Sequence, residues 1–172
     1  MDAREKQNRL PEGGVRWDAF VMTCEETGFT ALQRQRGIFL IFEGMLPRAD
    51  FFPLPSLTLF ARDGAGGFFA HGGAGLESPI YFISRARECW FLAENFRSLV
   101  KMVIFEPNWK AKIAGEAAEL RENEADCVEL GEIFGLSAPE ASLAAEIRRE
   151  KRYRIFETEE KAAAWCARDA DK

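Results

Sequence analysis

The single histidine of the chain, His71, is followed by Gly72 and Gly73. A His-Gly-Gly tripeptide could form the oxyanion loop of an esterase, with backbone N–H groups aimed at a developing negative charge. That chemistry also needs a Gly-x-Ser-x-Gly nucleophile elbow and a histidine acting as general base, and the sequence has neither the elbow nor a second histidine. His71 is read first as a histidine at a strand end beside a glycine turn; a small hydrolase using His71 is the alternative. The six glycines from Gly64 to Gly75 could cradle a phosphate, but Gly-Lys-Ser/Thr is missing and no helix opens behind them. They are read as turn glycines. Glu25 with Glu26, and Glu159 with Glu160, lie in polar surroundings that would not shift a pKa, so they read as surface charge. Cys24, Cys89, Cys127 and Cys166 are too widely spaced for a zinc knuckle or a CxxC pair, and are expected to be reduced, buried small hydrophobes. No catalytic residue, cofactor or metal site is expected.

A second constellation is acidic. From Glu116 to Glu132 there are seven carboxylates against one base, Arg121. On a helix, Glu116, Glu119, Glu122, Asp126 and Glu129 can share one face while Ile113, Ala117, Leu120, Cys127 and Val128 share another. A solvated helix face is the plain reading, and docking onto a basic protein surface is the functional one. The formal net charge of −5 points the same way: it works against nucleic-acid binding and favours a basic protein partner. Phe51 and Phe52 are read as core anchors first and partner anchors second.

The elements that must position these residues follow from periodicity and turn chemistry. Trp17, Phe20, Val21 and Cys24 recur at helical spacing, with Gly28 as a left-handed stop. Ile38 to Phe42 is a short apolar run bounded by glycines, hence a strand. Pro47, Pro53 and Pro55 make the next stretch an irregular crossing. Ser56 to Arg62 and Phe68 to His71 flank an Asp63-Gly64 turn and form a hairpin, because Asp-Gly supplies positive-φ positions. Pro79 to Ser84 and Cys89 to Ala93 form a second hairpin, apolar on successive residues and so covered on both faces. Phe96, Leu99, Val100, Val103 and Ile104 then mark a helix capped by Asn95 and closed by Pro107. A break is expected near Asn123, a further helix behind the Ser137/Glu140 capping box, and a last helix behind Thr158.

At 172 residues the chain has the size of one domain, able to bury roughly 70% of its unfolded surface. Hydrophobic residues at 47% and charged residues at 30% form an ordinary globular balance. Its apolar runs are far shorter than the roughly 20 residues of a membrane helix, and the polar N-terminus has no secretory signal, so a cytoplasmic protein is expected. The expected fold is α+β: a mostly antiparallel sheet of about four to six strands packed on helices. Residues 1–14 are expected as a flexible leader, 15–110 as the core, and 111–172 as a helical part of the same domain.

The central segment resembles the SUKH superfamily, which includes bacterial immunity proteins and yeast cell-wall assembly regulators. Leu57-Thr58-Leu59-Phe60-Ala61-Arg62-Asp63-Gly64-Ala65-Gly66-Gly67-Phe68-Phe69-Ala70 is similar to the family's strand, aspartate-glycine turn and aromatic strand. Ser78-Pro79-Ile80-Tyr81-Phe82-Ile83 is similar to its proline-led strand, and Phe91-Leu92-Ala93-Glu94-Asn95-Phe96 with Leu99 to its strand-to-helix element. The match spans roughly residues 46 to 110; Leu46-Pro47 leads to Arg48-Ala49-Asp50-Phe51, where the family has a tyrosine-containing helix. The resemblance implies a scaffold without catalysis, many bacterial members of which neutralise a cognate nuclease or other toxin by binding it. On that footing the partner is a basic toxin domain, met through Glu116, Glu119, Glu122, Asp126 and Glu129 or through the surface near Asp63 and His71. A stand-alone regulatory or structural scaffold of the same family is the further alternative.

Overall fold

The computed structural model describes residues 28–41, 49–73, 75, 77–116 and 124–169. The expected leader, the Trp17 to Cys24 helix and the break near Asn123 lie outside these residues. Helical backbone runs through α1 (Gly28–Ala31) and a π-helical turn (Leu32–Arg36). The left-handed stop is Gly37, at φ 63, and not Gly28, which is itself helical.

The architecture is α+β. Six strands, β1 (Ile38–Leu40), β3 (Thr58–Asp63), β4 (Phe68–His71), β5 (Ile80–Ile83), β6 (Cys89–Ala93) and β7 (Arg148–Arg149), pair in the order β1-β3-β4-β5-β6-β7, every pair antiparallel. Both expected hairpins form, but the positive-φ position of the first turn is Gly66, at φ 90, and neither Asp63 nor Gly64; a four-residue polar loop closes the second. The irregular crossing holds β2 (Phe52–Leu54), which pairs with β8 (Arg154–Phe156) in a separate two-stranded sheet. The C-terminal part is therefore not helical throughout: it returns one strand to the main sheet and one to β2.

Alternation along β5 separates two apolar layers. Ile80 and Phe82 point into the main core, and Tyr81 joins Cys89, Phe91 and Tyr153 on the other face. The main core is closed by α2 (Phe96–Phe105), whose buried Phe96, Leu99, Val100, Met102, Val103 and Ile104 form one stripe. Asn95 caps it, accepting a hydrogen bond from the Ser98 N–H at 2.9 Å. Each such buried side chain stabilises the fold by about 1.5–3 kcal/mol relative to exposure. Then come α3 (Trp109–Ala114), α4 (Glu124–Ile133) and α5 (Glu159–Asp169). Thr158 caps α5 as expected, its hydroxyl accepting from the Lys161 N–H.

The Ser137/Glu140 box does not start a helix; a short 3-10 turn begins only at Leu143. Its cap comes from another element. The Glu106 carboxylate at the end of α2 accepts the Leu143 N–H at 2.6 Å and the Ser142 hydroxyl at 2.5 Å. No helix among the described residues is long and apolar enough to cross a membrane.

Candidate functional site

The residues singled out in the sequence fall in three places. Asp63 ends β3 and pairs with Ile38, so its side chain points to the helical side of the sheet. It is 5% exposed and fully engaged there. One oxygen accepts the Ala65 and Gly67 N–H groups at 3.0 and 2.5 Å, and the other takes Lys110 of α3 at 2.6 Å. Trp109 beside it packs on Phe69 and Phe82. Asp63 thus locks the turn and fastens α3 over it.

His71 lies at the opposite end of the same hairpin, across from Thr58. Its Nδ1 N–H donates to the Gly73 carbonyl at 2.9 Å, and its ring lies 6.2 Å from that of Phe60. Desolvation lowers its pKa below the usual histidine value, against the opposing effect of the Gly73 bond. Gly72 lets Tyr153 approach: a Cβ there would collide with the Tyr153 hydroxyl. Asp63 and His71 do not share a site.

The acidic residues divide between elements. Gly115, left-handed at φ 70, ends α3, so Glu116 follows that cap and is exposed off α4. Glu119 and Glu122 lie outside the described residues. Asp126 and Glu129 stand exposed on α4 with Glu132. Helical geometry explains the sorting: Cys127, Leu130 and Gly131 form the buried arc, one turn repeating the next. Val128, expected with Cys127 on the apolar side, lies about 100° round the helix and is 51% exposed.

Two contacts hold α4 in place. A Cβ on Gly131 would lie 2.8 Å from the Leu136 carbonyl oxygen and 2.6 Å from the Phe105 ring, so only glycine permits this approach to α2. Arg36 reaches beneath, donating to the Ile104 carbonyl at 2.9 Å and to Cys127 Sγ at 3.3 Å. Beside the exposed arc runs a groove of about 420 Å³, with Phe105, Val128 and Pro139 as apolar lining and Glu106 and Glu140 as acidic lining. An exposed valine among carboxylates, next to a groove with acidic walls, can receive the aliphatic stem and cationic head of a lysine or arginine.

Compared with protein-family models, curated proteins and solved structures, the chain finds no match. The features that sequence reasoning missed are therefore read from geometry alone. Val128 had no signal, because its neighbour Cys127 fits the apolar stripe equally well. The basic run Arg148, Arg149, Lys151, Arg152 and Arg154 was visible in the sequence but submerged in the acidic total. Cys89 and Cys127 are buried as expected, whereas Cys166, expected to be buried, is exposed because Ala162 and Trp165 take the inner side of α5. Cys24 lies outside the described residues. Phe51 packs edge-on against Phe68 at 5.3 Å, while Phe52 is 40% exposed.

Proposed function

We propose that the chain is a non-catalytic protein-binding module of the SUKH type, an immunity protein that acts in the cytoplasm and holds a basic toxin domain such as a nuclease. One observation carries this reading. The exposed side of α4 sets Glu132 and Glu129 beside Val128, with Asp126 at the far edge of the same exposed arc, and the helix contains no lysine or arginine. Such a face steers a basic cleft toward itself and offers an apolar anchor once contact is made. His71 is read as a strand-end histidine, its Nδ1 proton held by the Gly73 carbonyl, and the hydrolytic alternative would use its Nε2 as the base.

Co-expression with the product of the adjacent gene, followed by purification on that product, tests the proposal. A stable one-to-one complex that dissociates in high salt is expected. A toxin-like neighbour that fails to retain the chain, or a complex indifferent to Asp126→Lys with Glu129→Lys, would count against it. Turnover of an ester by the purified chain that is lost in His71→Ala would replace this reading with the hydrolytic one.

A further inference from the structure

The sheet face turned away from α2 carries a second groove, of about 630 Å³, between the β3–β4 turn at Gly64 to Gly66 and the β5–β6 turn at Ser84 to Arg87. Strand register explains its floor. Phe39 of β1 is opposite Arg62 of β3, and Arg62 is opposite Phe68 of β4, so the three side chains form a row across one face. Phe51 closes the row against Phe68. The volume falls within the roughly 300–1,000 Å³ of small-molecule sites.

The charges in this groove are unevenly matched. Arg87 is held by Glu157 at 2.8 Å, from a left-handed backbone at φ 62 that arginine rarely adopts. Arg62 and Arg85 make no ion pair among the described residues; Arg62 instead lies 5.6 Å from the Phe39 ring centroid. Asp50 supplies one exposed carboxylate, and Asp63 beneath the groove is already matched by Lys110. Two guanidinium forks beside three phenyl rings match a ligand with an oxyanion at one end and a flat apolar body at the other.

We infer that this groove binds a small organic oxyanion, with its phosphate or carboxylate on Arg62 and Arg85 and its ring among Phe39, Phe51 and Phe68. The site is separate from α4, whose Leu130 belongs to the core on the other side of the sheet. Titration of the full chain with phenyl phosphate, phenylacetate, inorganic phosphate and phenol, read by amide shifts of Gly64, Ala65 and Gly66, tests it. Phenyl phosphate and phenylacetate should saturate, and both inorganic phosphate and phenol should bind at least about tenfold more weakly. Arg62→Ala and Arg85→Ala should each weaken phenyl phosphate about tenfold. Phe51→Ala should reduce phenyl phosphate toward the level of inorganic phosphate; unchanged thermal unfolding of each variant confirms the fold. Non-saturating shifts, equal binding by the Arg62→Gln/Arg85→Gln double variant, or tighter binding of hexaglutamate than of phenyl phosphate would overturn the assignment.

Discussion

Helix α4 and the segment from Arg148 to Arg154 are mirror images in charge and opposites in use. The first has Glu124, Asp126, Glu129 and Glu132 with no base; the second has five bases against Glu150. The basic side chains are largely engaged within the fold. The Arg148 guanidinium lies 3.9 Å from the Phe91 ring centroid, Arg152 lies 4.8 Å from that of Tyr153, and Arg154 lies 4.6 Å from that of Trp165. Arg149 meets Glu88 at 2.9 Å, and Arg152 donates to the Tyr81 hydroxyl. Asp126, Glu129 and Glu132 form no ion pair among the described residues. A count of charges therefore says little about which are available to a partner. Rings beneath a charge turn it into packing, and a bare helix face leaves it for binding.

This contrast can be broken most severely at Phe91, 3% exposed beneath Arg148 and Tyr81. Phe91→Ala is expected to cost about 4 kcal/mol in denaturant unfolding, because it leaves a cavity and removes the platform together. Next comes Gly131→Ala, which forces a Cβ against the Leu136 carbonyl; a loss of about 2 kcal/mol is expected as α4 is pushed off α2. Arg148→Ala should cost about 1 kcal/mol through the lost ring contact. Asp126→Lys and Glu129→Lys should stay within about 0.5 kcal/mol, as exposed charges without partners. Equal costs for Arg148→Ala and Glu129→Lys would erase the distinction.

Cys89 sharpens it with pH. Desolvation, helped by the nearby Glu150 charge, pushes this thiol from its ordinary value of 9.0 up to about 12. The folded chain then keeps a proton that the unfolded chain releases, so stability falls as pH rises from about 9 toward 12. Cys89→Ala should flatten that slope in unfolding curves measured above pH 9. At pH 8, iodoacetamide should label exposed Cys166 and spare Cys89 until the chain unfolds.

Much of this arrangement was legible because local chemistry and long-range packing agree. The Asp63-Gly64 turn, the Asn95 cap and the stripe from Phe96 to Ile104 each demand the same fold, and the structure has all three. The failures occur where a distant group supplies what the local sequence promised. Ser137 and Glu140 looked like a cap, but the cap position of the turn lies five residues later at Ser142, and Glu106, beyond α3 and α4 at the end of α2, does the capping. Arg148 to Phe156 has no apolar alternation of its own, so its strands depend on edges offered by β6 and β2. The acidic candidates were found by composition, yet only the structure separates Asp63, locked inside, from Asp126 and Glu129, left outside.

The most direct test of the binding account is a calorimetric titration of the adjacent gene's product into the wild-type chain and into the Asp126→Lys/Glu129→Lys variant. The account predicts saturable one-to-one binding to the wild type, weaker at higher salt, and a loss of about 100-fold or more in the variant. Equal affinity for both chains, or heat of binding from neither, would contradict it.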